Sequence, residues 1–262
     1  MPILVLPPRY TEDSISLWRT AKELGWKVER LVSWRMPPNI VDSIVVIYGE
    51  SLFAAVVSEN LEISLIEPTF DWLVKLPLKY LKRQIQYKTL GQLEKIEEKI
   101  FIKPADDKCF RAKIYEQGEI IPSADLLPSN TPILISEVVN WMSEFRSFII
   151  ERSVATISVY ARNGKTAQDD EGNWFASKDE IIEAKAFIEN FLADSEVALP
   201  PSVVVDIGFI ADRGWAVIEA NPSWGSGIYG CDPYEVLKVI SRASIKTSLL
   251  TNQDKQWIIN RS

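Results

Sequence analysis

The segment Val203–Gly230, VVVDIGFIADRGWAVIEANPSWGSGIYG, decides how the chain is read. Two β-patterned runs, Val203–Ile210 and Trp215–Ala220, flank Ala211-Asp212-Arg213-Gly214, which is a hairpin signal. A two-residue loop at Asp212-Arg213 places Asp206 directly opposite Glu219. Shifting the loop one residue along places Asp206 opposite Asn221. Residues 219 and 221 share a face under period-two alternation, so both registers gather Asp206, Glu219 and Asn221.

Two carboxylates facing each other across a ladder repel, and their neighbours Val204, Val205, Val217 and Ile218 predict partial burial. Such a pair is stable when it shares a proton or holds a cation. All-oxygen ligands beside an amide suit Mg²⁺ better than zinc; the plainer alternative is a solvated polar face on an edge hairpin. A Mg²⁺ between two acids commonly also binds substrate phosphates, so a cationic partner is expected elsewhere. Lys103 fits, because it ends the otherwise apolar strand Ile100-Phe101-Ile102-Lys103, and Pro104 removes the next ladder donor. Lys108, Arg111 and Lys113 follow in a loop that could fold over phosphates or simply be solvated. The chain has no P-loop and no GxGxxG.

Composition narrows the chemistry. The 262 residues include no histidine and two cysteines, Cys109 and Cys231. Serine–histidine and cysteine–histidine catalysis, His-ligated metals and four-thiolate sites are therefore excluded. A net charge of −7 argues against a general nucleic-acid binder. Ile3–Leu6 lacks a basic flank and is too short for a signal core, and no run approaches a membrane span, so a cytoplasmic protein is expected.

Outward from the hairpin, the first residues read as a small α/β unit. Ile3–Leu6, Val28–Val32 and Ile44–Tyr48 are strand patterns, and Leu52–Val57 is helical. A helix capped by Thr11 carries Ile15, Trp18, Ala21 and Leu24 on one face and stops at Gly25. This alternation predicts a parallel sheet. Leu90–Glu98 reads as a helix, and Ile133–Val139, Glu144–Glu151 and Val154–Tyr160 as strands. Ser177–Glu180 opens an amphipathic helix with Ile181, Ala184, Ile188 and Phe191 inward, and the tail beyond Ser241 reads as helical.

The order Phe101-Ile102-Lys103-Pro104, Glu137-Val138-Val139 with Glu144-Phe145-Arg146, Asp206, and Glu219-Ala220-Asn221-Pro222 resembles the ATP-grasp superfamily. The details KPADDKCF and WGSGIYG are closest to its clade named for one arginine and two lysines. The resemblance spans roughly Phe70–Pro233. It implies an α/β protein of α+β lobes, with an N-terminal Rossmann-like pre-ATP-grasp lobe (1–69), a central lobe (70–136) and a C-terminal lobe (137–262) carrying the hairpin.

By this resemblance the cofactors are ATP and Mg²⁺. Lys103 contacts the phosphates, with Lys113 a further nucleotide contact. The Glu137–Asn140 linker, through Glu137 and Val139, reads adenine, and Glu144 accepts from the ribose. Asp206, Glu219 and Asn221 hold one or two Mg²⁺ ions. The implied reaction joins a carboxylate, of an amino acid or peptide, to an amine through an acyl-phosphate; a phosphotransferase and a nucleotide-binding module without turnover are the alternatives. The usual glycine- and serine-rich flap is replaced by Asp106–Arg111. Val204 stands where many members have an arginine, so the transition-state cation is sought in Arg146, then Arg83, then Lys108. For Arg146 a salt bridge with Glu144 or Glu151 is the alternative. Ser226 and Gly227 are expected to bind the substrate carboxylate or acyl-phosphate through backbone N–H groups, or else to form a turn with positive φ. Partners are small-molecule or peptide carboxylates and amines, with no membrane; a homo-oligomer is left open.

Overall fold

A computed structural model describes residues 1–32, 40, 44–93, 95–105, 109–121 and 126–259. The chain opens with β1 (Ile3–Leu6), four apolar residues with no exposure. After α1 (Glu12–Glu23) come β2 (Lys27–Arg30) and β3 (Val45–Ile47), which flank β1 in parallel, in the order β2-β1-β3. Alternation of strand and helix predicts that parallel pairing, because the crossover needs a helix. Thr11 caps α1, with Ser14 returning the bond in a reciprocal box. The buried face of α1 is Ser14, Leu17, Thr20 and Ala21, while Trp18 and Leu24 are exposed. The expected stripe is thus turned by about one position. Small side chains at 14, 20 and 21 let α1 pack closely against its neighbours, and Trp18 would hold it away.

Next come α2 (Ser51–Asn60), β4 (Ile63–Leu65) and the single turn α3 (Leu78–Leu81). An antiparallel four-stranded sheet follows, from β5 (Ile85–Thr89), β6 (Ile100–Pro104), β7 (Lys113–Tyr115) and β8 (Pro132–Ser136), ordered β5-β8-β6-β7. The helix expected over Leu90–Glu98 is replaced by one 3₁₀ turn at Leu90–Gln92. The N–H groups of Leu90 and Gly91 bond to the carbonyls of Thr131 and Ser129, so this backbone is committed to a neighbouring loop.

The second antiparallel sheet has five strands, ordered β11-β10-β9-β12-β13. It comprises β9 (Trp141–Ile150), β10 (Ser153–Arg162), β11 (Lys165–Thr166), β12 (Ser202–Ile210) and β13 (Gly214–Asn221). Between β11 and β12, α4 (Lys178–Ala193) begins at the expected Ser177 box and buries Ala184, Ile188, Phe191 and Leu192. After β13, α5 (Pro233–Ala243) is capped by Asp232. Both helices pack on β10 and β12. The tail is not a continued helix. Ser244–Lys246 extends as β14 and pairs with β4, and Thr251 caps the short α6 (Asn252–Lys255).

One large hydrophobic core joins the N-terminal sheet, the five-stranded sheet, α4 and α5. A second, small core of Ile96, Ile102, Phe110, Tyr115, Ile121 and Ile133 lies under the four-stranded sheet. Among the described residues, no helix is long and apolar enough to cross a membrane.

Candidate active site

Strand β12 is the centre of the site because it has a neighbour on each side. Asp206 is registered with Glu219 on β13 and with Arg146 on β9. The register at Asp206 is the one a two-residue turn predicts, yet the turn is longer. Three residues, Ala211 to Arg213, lie between paired Ile210 and Gly214, and Gly214 has φ +79°, which favours glycine. A β-bulge at Ile218 then adds one residue to β13 and restores the predicted pairing at the acids.

Arg146 grips Asp206 with a fork: Nε donates to Oδ1 at 2.9 Å and Nη2 to Oδ2 at 2.6 Å. Asp206 has no exposure, and Arg146 is buried. Burial pushes the Asp206 carboxyl up, and the guanidinium is the chief opposing influence. The third edge of Arg146 donates from Nη1 to the carbonyl of Gly227 at 2.9 Å. Its Cζ lies 4.8 Å and 5.5 Å from the ring centroids of Tyr229 and Tyr160, which are stacked on each other. The alternative pairing of Arg146 with Glu144 or Glu151 is not what forms.

Lys103, at the end of β6, reaches across from the four-stranded sheet and bonds Glu219. Asn221 Nδ2 donates to Glu219 Oε1 at 2.9 Å and to Asp206 Oδ2 at 3.4 Å. Burial alone would raise the Glu219 carboxyl, but the Lys103 ammonium and the Asn221 amide bring it to about 2. Glu144 lies beside this group and accepts from the Tyr160 hydroxyl at 2.7 Å. Desolvation raises the Glu144 carboxyl, assisted by the nearby Asp206 and Glu219 charges. Tyr160 reaches it because β10 is bulged between Val159 and Ala161.

The floor toward the N-terminal sheet is built by Asp13 and Tyr48. Asp13 Oδ2 accepts from the Tyr48 hydroxyl at 3.3 Å and from the Ile228 N–H at 3.2 Å, and burial raises its pKa. Tyr48 also donates to the Ser226 carbonyl at 3.0 Å, and Ser226 Oγ donates to the Pro222 carbonyl at 2.7 Å. Ser226 and Gly227 therefore line the site, but Gly227 turns its carbonyl toward Arg146. Neither Gly225 nor Gly227 has the positive φ that a left-handed turn would require.

The structure thus gathers Lys103, Arg146, Asp206, Glu219 and Asn221, with Glu144, Ser226 and Gly227 around them. Lys113 is registered with Ile102 and so lies on the opposite face of its sheet from Lys103; its ammonium is 3.4 Å from Glu119. Arg83 is buried on the far edge of β13. It donates to the carbonyls of Leu81 (3.0 Å), Val217 (2.8 Å) and Ile218 (3.0 Å), and desolvation lowers it to about 10. Two successive carbonyls face one guanidinium because the bulge breaks strand alternation, so Arg83 braces the hairpin from outside. Glu137 pairs with Arg213 at 2.5 Å and accepts from the Gln84 N–H at 3.3 Å. It begins the link, with half-buried Val139, that joins β8 to β9 and hence one sheet to the other. Lys108 lies outside the described residues.

Sequence reasoning missed Asp13, Tyr48, Tyr160 and Tyr229. Asp13 reads as an ordinary first-turn acid, and nothing local brings α1 to the 226–228 turn. A signal did exist for Tyr160, whose strand follows Glu144 by a tight turn and must fold back beside it.

Among the described residues, no three His, Cys, Asp or Glu side chains are grouped to hold a metal ion. Two acids and an amide are nevertheless grouped, and their oxygen chemistry fits Mg²⁺. Glu219 and Asn221 are partly exposed, and the Asn221 amide, which here donates to both carboxylates, would have to turn over to offer its oxygen to a cation. Asp206 has both oxygens on Arg146.

Two antiparallel sheets joined by one short link, with a lysine from one sheet meeting acids of the other, are the ATP-grasp fold. The chain belongs to the ATP-grasp domain family, within the clade named for one arginine and two lysines. The sequence profile of that clade's family 2 matches residues 80–239, more than half of the chain. No curated protein matches the sequence. Among solved structures, the D-cycloserine synthetase DcsG is similar at 12% identity and TM-score 0.55, over 92% of this chain and 98% of that one. D-alanine–D-alanine ligase from Bacillus anthracis gives 9% and 0.53 over 93% and 97%. N5-carboxyaminoimidazole synthetase from Staphylococcus aureus gives 10% and 0.55 over 94% and 78%. At such identities the likeness is one of fold.

Proposed function

We propose that this protein is an ATP- and Mg²⁺-dependent ligase that joins a carboxylate, from an amino acid or peptide, to an amine, releasing ADP and phosphate. The observation that carries the reading is the convergence of Lys103 from one sheet and Arg146 from the other on the Asp206–Glu219–Asn221 group. Similar folds in D-alanine–D-alanine ligase and D-cycloserine synthetase support it.

The chain's residues act by holding charge in place. Lys103 leaves Glu219 for the phosphate oxygens of ATP, and Glu144 accepts from the ribose hydroxyls. The Glu137–Asn140 link offers backbone groups to the adenine edge. Glu219 and Asn221, with Asp206 behind them, would hold Mg²⁺, which neutralises phosphate charge. A carboxylate oxygen of the substrate attacks the γ-phosphorus and ADP leaves. The amine, having given its proton to water, then attacks the acyl carbon and phosphate departs. Arg146 is held by Asp206, Gly227 and two rings, so it meets charge developing on the transferred group without reorganising. Removing such a preorganised donor costs about 3–4 kcal/mol of transition-state stabilisation.

The test is ADP release from Mg-ATP as pools of amino acids and peptides are added, with mass spectrometry of the products. An amide with ADP supports the ligase; AMP in place of ADP refutes it. A stable phosphoryl product without amide makes it a phosphotransferase, and nucleotide binding without turnover makes it a binding module. Asp206→Asn with Glu219→Gln abolishes turnover.

A further inference from the structure

We infer that the site takes one divalent cation, on Glu219 and Asn221, which enters by displacing the Lys103 ammonium, while Arg146 stays on Asp206 where a second cation would sit. This rests on reading the cleft as a nucleotide–metal site and adds the number of ions and the order of exchange.

The two ion pairs differ in everything that governs exchange. The side chains of Arg146 and Asp206 are 9% and 0% exposed, against 21% and 28% for Lys103 and Glu219. Asp206 accepts from Arg146 through both oxygens and from Asn221 through one, leaving little of its lone-pair capacity for a metal. Arg146 uses its remaining edge on Gly227 and rests against Tyr160 and Tyr229, so removing it would strand a buried carboxylate and a carbonyl. Lys103 has one partner among the described residues, Glu219, on a flexible stem.

Charge agrees with geometry. The two acids and two cations cancel. Replacing Lys103 at Glu219 by a divalent ion leaves the group one positive charge in excess, facing phosphates, and frees Lys103 to neutralise another. One carboxylate, one amide, waters and phosphate oxygens are an ordinary Mg²⁺ environment. Arg146 cannot be exchanged away or deprotonated, so it serves as the fixed second cation.

Mn²⁺ binding to the full chain, followed by electron paramagnetic resonance, tests this. One Mn²⁺ per chain is expected in the complex with a non-hydrolysable ATP analogue; two overturn the inference. Without nucleotide, Lys103→Met binds Mn²⁺ about tenfold more tightly than the wild type because the competing ammonium is gone. Unchanged or weaker binding overturns the exchange. Glu219→Gln loses the site. Asp206→Asn, checked for folding by its thermal transition, keeps one Mn²⁺ in whatever fraction is folded; loss from folded protein places the ion on Asp206 and overturns the inference. If Mn²⁺ behaves as expected but no acid and amine give ADP, the ligase reading fails and this one stands. If ADP forms and two Mn²⁺ bind, only this one fails.

Discussion

Of the two sheets that carry the site, the five-stranded one belongs to a core that runs from Ile3 to Trp257, whereas the four-stranded one adds Leu134 to that core and otherwise rests, among the described residues, on six buried side chains of its own. The cations inherit that difference. Arg146 rises from the middle of β9, between two long partners, and is locked in direction by its neighbours. Lys103 sits at the end of a five-residue strand and ends in a partly exposed ion pair. One wall therefore keeps charge preorganised and the other delivers charge that can move. Under the proposed function, a clamp that admits a nucleotide between its sheets uses both properties.

The largest effect that tests this contrast is the loss of Arg146. Arg146→Met leaves Asp206 buried without its counter-ion and should cost about 3–5 kcal/mol in urea unfolding. Lys103→Met, on the movable wall, should cost less, about 1–2 kcal/mol, because its pair with Glu219 is only partly exposed. Equal losses from the two variants would mean that both walls are equally rigid, and the comparison would break.

Arg83 gives an intermediate case on the outer edge of the same wall. Arg83→Met unpairs three backbone carbonyls and is expected to cost about 1–3 kcal/mol. Because two of those carbonyls, of Val217 and Ile218, belong to the bulge that sets the register of Glu219, the variant should also raise KM for ATP. Hydrogen exchange should show faster opening confined to β13. A stability loss with unaltered exchange at β13 would remove the bracing role.

How far the sequence already contained this site depends on the range of each interaction. The Asp206–Glu219 pairing is local to one hairpin and was legible, although the turn is one residue longer than two and the bulge at Ile218 compensates. Period two forced the right residues together whichever way the turn closed. The Ser177 box and α4 were legible for the same reason, since capping and i, i+4 spacing are local. The partner of Arg146 was not, because it depends on β9 lying beside β12 some sixty residues later, and sequence alone leaves strand order open. Asp13 and Tyr48 meet the 226–228 turn only through tertiary packing. The Leu90–Glu98 pattern misled because the turn at Leu90–Gln92 ends at Leu93, whose backbone is extended, while the Leu90 and Gly91 N–H groups, which a helix would leave free, dock that turn on the Thr131 and Ser129 carbonyls. The N-terminal face of α1 misled because steric fit, which favours Ser14 and Ala21, overruled hydrophobicity at Trp18.

The smallest effect sharpens the contrast from outside the cleft. Arg162 on β10 and Glu180 in the first turn of α4 form a pair with contacts of 2.5 and 3.1 Å, each about a third exposed. The Arg162 bonds lower the Glu180 carboxyl from the usual 4.5 to about 2, against the opposing effect of burial and with help from the Ser177 bonds. A carboxyl depressed in the folded chain stabilises it fully above the unfolded value, and that stabilisation drains away as pH falls through 4.5 toward 2. Arg162→Met removes the main cause of the depression. The stability gap between wild type and variant should therefore be widest above about pH 5 and close as the pH approaches 2. Thermal unfolding of both proteins across that range measures it. A gap that stays constant with pH would mean that Arg162 acts through packing of its stem on α4 rather than through its charge, and that even the outer ion pairs of this wall are held by fit.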